Sequence, residues 1–238
     1  ATISCVTATM VYRKIIGSAP IIKMHIFNEP SVNAFGVFLL FGIIVGIIGL
    51  AFNVILMKSL KWTDSFKYWT KLLFVMTVGL LVGILYVVFP DFVGGGYEII
   101  GKTLNHYPYV NVLVVVFFIR FILTMACYAT GVPGGVFAPM LALGTVLGLF
   151  CYYVFHFFFQ DLNIQPGIFA VAGMGALFAA AVRAPITGIV LVVELTQNYN
   201  LILPLMITCL TATIVVQLAG NAPIYSQLLV RSIRRSKT

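Results

Sequence analysis

Long apolar runs, separated by short polar or glycine- and proline-rich stretches, organise this sequence from end to end. The runs are continuously apolar rather than alternating, so they predict helices and not the strands of a β-barrel. Residues 1–16 read as the tail of a helix cut through by the start of the chain. Residues 17–32 read as a polar connection carrying Pro20, Glu29 and Pro30. Residues 33–60 form a long helical run in which Gly42, Gly46 and Gly49 put small residues at close-packing spacing. A basic and aromatic loop follows, with Trp62 and Trp69 as interfacial anchors, and residues 70–89 form another helix closed by Pro90.

The second part of the chain is more interrupted. Residues 91–108 are polar and broken, and Gly94-Gly95-Gly96 followed by EIIGKTLNHYP predicts a short helix or re-entrant turn. Residues 109–129 and 136–159 predict two helices, the latter ending in HFFFQ. Residues 167–181, 185–196 and 200–219 are shorter runs, broken at Arg183-Ala184-Pro185 and at Asn221-Ala222-Pro223, and a last helix starts near residue 224. Each break puts a proline near a helix start, where its missing N–H costs little. Several runs fall short of the ~20 residues of a perpendicular span. Short helices broken by Gly and Pro at membrane depth are the pattern of transporters, whose helix ends form the substrate site.

Composition sharpens the class. Of 238 residues, 61% are hydrophobic and 8% charged, and the mean hydropathy is +1.09. A soluble domain of this size cannot hide that much apolar surface, so the fold class is an all-α polytopic membrane protein. The net charge of +8 comes from bases at the ends of apolar runs: Arg13 and Lys14, Lys58 to Lys71, and Arg231 to Lys237. That is the distribution of membrane loops, not of a nucleic-acid surface, and the basic RSIRRSKT end is expected on the cytoplasmic side. Cys5, Cys127, Cys151 and Cys209 lie in apolar runs without metal-ligand spacing and read as packing residues. His25, His106 and His156 are scattered and lack partner motifs. There is no HExxH and no GxSxG, no phosphate-loop lysine follows the glycines of the 131–135 break, and Gly173-x-Gly175 alone carries no nucleotide signal. The chain is therefore expected not to be an enzyme, and neither a cofactor nor a metal is implied. No basic stretch precedes the first apolar run as a signal peptide requires, so a piece of a longer polypeptide is expected.

One break carries candidate chemistry. Gly131-Val132-Pro133-Gly134-Gly135-Val136-Phe137-Ala138-Pro139 lies between two apolar runs and opens into a helix. Irregular backbone at membrane depth is tolerated only where protein buries it or a polar cavity meets it. A helix start presents unpaired N–H groups and the positive end of the dipole, which favour an anion. By composition alone, a glycine kink that packs two helices explains these residues equally well.

The longer motifs are more specific. GGVFAPMLALGTVLG resembles the glycine-Phe-Ala-Pro signature in the second half of CLC chloride channels and chloride/proton exchangers. FAVAGMGALFAAAVRAPITGIVLVVELTQNYNLILPLMITCL resembles the stretch after it, and NAPIYSQLL the segment carrying that family's anion-contacting Tyr. The resemblance runs from about residue 1 to about residue 235, so residues 1–238 are expected to form the C-terminal half of a CLC-type transmembrane domain, one half of an inverted-repeat fold. The first-half motifs that supply the site Ser and the gating Glu do not occur here, and no cytoplasmic regulatory domain is expected.

The resemblance implies an anion site at the backbone N–H groups of Val136 and Phe137, with Gly134, Gly135, Ala138 and Pro139 supporting the loop and Tyr225 offering a neutral O–H. A neutral donor holds chloride without trapping it. Taken alone, Tyr225 would read as an interfacial aromatic; its place just after Asn-Ala-Pro reverses that. Glu194 is the one acid in a long apolar stretch, a feature that raises an intramembrane role. The resemblance instead puts it near a homodimer interface together with Ile202, with Arg183 or Arg120 as possible neighbours. Both arginines also fit snorkelling or carbonyl capping.

The implied partners are chloride, protons if the protein is an exchanger, the lipid bilayer, a homodimer partner and the missing N-terminal half. The implied location is a bacterial inner membrane. Chloride transport of the exchanger type leads; a passive channel of the same family, or a non-transporting scaffold half-subunit, are the alternatives. The intact Tyr and glycine motif argue against a scaffold, which needs neither.

Overall fold

A computed structural model describes residues 2–17, 20–22, 24, 27, 30, 34–105, 108–132, 134–158 and 164–236. Pro133, Glu29, His25, His106, Phe159 and Lys237 lie outside the described residues. The helices are α1 (Thr2–Ile16), α2 (Phe35–Asp64), α3 (Tyr68–Val88), α4 (Tyr97–Asn105), α5 (Val110–Ala129), α6 (Phe137–Phe158), α7 (Pro166–Val182), α8 (Pro185–Thr196), α9 (Ile202–Leu218) and α10 (Ile224–Ser236). Short 3-10 turns at Pro90–Phe92 and Tyr199–Leu201 complete them, and among the described residues there is no strand.

Among the described residues, five helices (α2, α3, α5, α6 and α9 with its leading turn) are long and apolar enough to cross a membrane. α2, at 30 residues, is ~45 Å long by its rise per residue. That exceeds the ~30 Å hydrocarbon layer, so α2 tilts or projects beyond it.

The expected helices are present, with one shift, and much of the expected connection over residues 17–32 lies outside the described residues. Trp62 and Trp69 were expected in a loop, but Trp62 sits inside α2 and Trp69 inside α3, and only Ser65 to Lys67 connect them. The basic and aromatic residues there have ordinary helix propensity and no Gly or Pro breaks the run. α2 stops where the Ser65 N–H bonds to the Thr63 and Trp62 carbonyls. Both Trp rings remain exposed, at opposite sides of this tight corner.

The core is built on α7, whose residues from Gly167 to Ala181 are all buried. A helix apolar on every face is a central helix. α2, α6 and α9 pack around it, and small residues set how closely. A Cβ on Gly42 would come within 2.8 Å of Thr211 Cβ, one on Gly46 within 2.8 Å of Val215 Cβ, and one on Gly49 within 2.6 Å of Ala180 Cβ. The predicted stripe therefore faces α9 and the end of α7. α6 and α7 meet more closely still: a side chain on Gly144 would run into the Gly173 carbonyl, and one on Gly148 into the Phe169 carbonyl. Such contacts suit a bilayer, where lipid tails are as apolar as Leu and helices associate through close packing. Phe38 and Phe41 of α2 close on Phe169 at centroid distances of 5.0 and 5.2 Å.

Other helices are bare. α3 has no buried residue, and α1 exposes nearly all its described side chains.

Candidate functional site

Three chain breaks surround the C-terminal end of α7. The first follows α5. Thr130 donates its hydroxyl to the Cys127 carbonyl at 2.6 Å and accepts the Val132 N–H at 3.2 Å, closing the helix end. Gly131 then takes φ +77°, a conformation that costs Gly almost nothing. α6 starts at Phe137, with the Met140 N–H donating to the Val136 carbonyl at 3.1 Å.

Val136 is thus the cap residue, and the first four N–H positions of the helix are residues 136 to 139. These have no partner inside the helix. Pro139 has no N–H, so the donors are those of Val136, Phe137 and Ala138. The first turn contains no acidic residue, so no carboxylate offsets the positive end of the dipole. Val136 is buried, its side chain packed into the core, while Gly134 and Gly135 are exposed and Ala138 and Pro139 half-buried. The Phe137 ring packs edge-on against Phe178 of α7, at 5.4 Å and 87°.

The second and third breaks touch each other. α7 ends with Arg183 in the left-handed region at φ 60°, uncommon for a residue with a side chain. Its N–H bonds to the Ala179 carbonyl at 2.8 Å, and its guanidinium Nη1 donates to the Asn221 carbonyl at 3.3 Å. Asn221 opens the break before α10, where the Gln227 N–H donates to the Pro223 carbonyl at 3.1 Å. Tyr225 follows, 47% exposed.

A cleft of about 330 Å³ runs along the first break, lined by Val78 of α3, by Tyr128 and Thr130 at the end of α5, and by Gly134, Gly135 and Pro139. Tyr128 also lies within electrostatic reach of Tyr225 and Arg231 of α10. Sequence reasoning missed Tyr128. Its only signal is its spacing, three residues before Gly131, which puts it in the last turn before the break.

Glu194 and Ile202 lie elsewhere. Glu194 is exposed and lines a groove of about 400 Å³ with Tyr12 and Arg13 of α1. Arg183 and Arg120, the neighbours suggested for Glu194, do not line this groove. Arg183 serves Asn221, and the buried Arg120 donates through Nη2 to the Val93 carbonyl at 3.1 Å. Both therefore cap carbonyls. Ile202 begins α9 and is half-buried; Leu203, Met206, Leu210 and Ile214 make an exposed apolar stripe along that helix. Among the described residues no group of three or more His, Cys, Asp or Glu could hold a metal.

The family model "Voltage gated chloride channel" matches residues 1–217. This chain belongs to the CLC family. Its sequence is 43% identical to the H(+)/Cl(-) exchange transporter ClcA of Vibrio cholerae over 238 residues, 99% of this chain and 51% of that protein. It is 41% identical to the ClcA of Yersinia pestis, over 99% of this chain and 50% of that one. The CLC chain thus spans about half the length of the relatives it matches. A slow cyanobacterial Cl-/H+ antiporter superposes with a TM-score of 0.93 at 37% identity, covering 98% of this chain and 55% of its own. A CLC-type fluoride/proton antiporter superposes at 0.67 with 20% identity, a likeness of fold alone. The CLC chain is accordingly an all-helical membrane protein.

Proposed function

We propose that this chain forms one side of a chloride pathway in a chloride/proton exchanger. The N–H groups of Val136, Phe137 and Ala138 bind the ion at the start of α6, and the Tyr225 hydroxyl donates from α10. Gly134, Gly135 and Pro139 hold the break open, and the remaining contacts come from the half of the pathway that the relatives' additional length supplies. Chloride is the transported ligand, with no bound cofactor. A second copy of the protein meets the exposed faces of α8 and α9, where Glu194 and Ile202 lie, and the basic end of α10 faces the cytoplasm of a bacterial inner membrane.

The observation that carries this reading is the start of α6: three backbone donors, no compensating acid in the first turn, and a cleft against its glycine loop. Donors of this kind bind an anion without a fixed counter-charge, so the ion can leave again. The names of the ClcA relatives support protons as the exchanged ion.

The test uses the full-length transporter in lipid vesicles. A chloride gradient should drive proton movement, read by a pH electrode, and Tyr225→Ala should weaken equilibrium chloride binding in calorimetry. Chloride flux without proton movement would make the protein a passive channel. Unchanged affinity in Tyr225→Ala would remove Tyr225 from the site.

A further inference from the structure

We propose that Asn53 is a positioning residue for the anion site. Through the end of α7 it sets where Tyr225 stands relative to the start of α6. This rests on the anion site proposed above.

Asn53 sits far inside α2, in an otherwise apolar stretch, and is fully buried. A buried amide in a membrane helix is costly unless it is bonded. Its Nδ2 donates to the Ala181 carbonyl at 3.0 Å and to Asn221 Oδ1 at 3.3 Å, while its own Oδ1 has no partner. What Asn53 contributes is therefore its donors. Ala181 lies in the last turn of α7, where carbonyls lack partners within the helix. Gly49, one turn earlier on α2, allows the approach by meeting Ala180 without a side chain.

Asn221 is the hub. Its Oδ1 accepts from Asn53 and from Gln227 Nε2 at 3.0 Å, and its carbonyl accepts from Arg183 Nη1 at 3.3 Å. Asn221, four positions before Tyr225 in the break that leads into α10, is thereby held from α2, from the end of α7 and from α10 itself. The same stretch of α7 holds the other anion contact, because Phe178 packs against Phe137. Residues 178–183 thus act as a ruler between the backbone donors and the Tyr hydroxyl, and Asn53 fastens one end of it.

The test is a double-mutant cycle on the full-length transporter, with chloride affinity read by calorimetry and the thermal midpoint read in parallel. Asn53→Leu keeps the shape and removes the donors. Gln227→Met does the same from the half-exposed side and decides the matter if the first variant fails to fold. Each should weaken chloride binding by roughly threefold to tenfold, about the worth of one hydrogen bond. Neither should weaken it further in a Tyr225→Ala background, because coupled residues are not additive. A lower thermal midpoint with unchanged affinity would make Asn53 structural only and overturn the inference. Equal losses with and without Tyr225 would overturn it as well. If Tyr225→Ala alone leaves affinity unchanged, Tyr225 is outside the site and this inference falls with that part of the reading; if Tyr225→Ala weakens binding and the two amide variants do not, only this inference fails.

Discussion

Arg231 grips Asp64 across 167 residues of sequence, with Nε 3.0 Å from Oδ2 and Nη2 2.7 Å from Oδ1. The fork ties the last turn of α2 to α10, and both side chains are mostly covered, at 19% and 29% exposure. Planar two-point pairing is a property of Arg that Lys lacks. Arg231→Ala should lower stability by about 1 kcal/mol, the upper end for a pair partly open to solvent, and Arg231→Lys should recover only part of it. Thermal unfolding at low and high salt checks this, since the loss should shrink as salt screens the pair.

Glycines divide sharply by what surrounds them. A Cβ on Gly148 would run into the Phe169 carbonyl, whereas one on Gly101 meets nothing within 4 Å. Gly148→Ala should cost ~3 kcal/mol, as overpacking does, and reduce the yield of folded protein. Gly101→Ala, within α4, should gain ~0.5 kcal/mol from helix propensity. Fluorescence-detected size exclusion across a heating series separates the two.

If α6 binds the ion through its backbone, the Val136 side chain is a packing element and nothing more. Val136→Ala should lower stability by ~1 kcal/mol, because this residue is buried at 2% exposure and loses methyl groups. Chloride affinity should stay within about twofold, since the N–H groups remain. Calorimetry on this variant beside Tyr225→Phe, which removes a hydroxyl and should weaken binding about fivefold, tests backbone against side chain directly.

Glu194 shares its groove with Arg13 and Tyr12, on the side of the chain formed by α1 and α8. Glu194→Gln should therefore leave the ratio of chloride to proton movement unchanged in vesicle flux. A loss of proton coupling with intact folding would move Glu194 into the proton path.

The helix boundaries were legible because Gly and Pro punctuate apolar runs at Pro90, Gly131, Pro185 and Asn221-Ala222-Pro223. The end of α2 was not, since Lys61 and Trp62 mark an interface without breaking a helix. Which faces are buried could not be read either. α7 and α3 are both strongly apolar, yet one is enclosed and the other has no buried residue. The α6 donors and Tyr225 are proposed from their motifs. The bonds of Asn53 were not legible, because a single polar residue in an apolar helix has no period; its role depends on partners such as Ala181, 128 positions away.

The seam between α6 and α7 has a mechanical consequence. Where Gly144 and Gly148 lie on the Gly173 and Phe169 carbonyls, main chain rests on main chain, with no rotamers to give. Two such helices resist sliding or rocking past one another and form one rigid pair. α3 has no buried residue and α10 is held by side-chain contacts, so neither shares that rigidity. The backbone donors at the start of α6 sit on that rigid pair, and Asn221 ties the start of α10 to its end through Arg183.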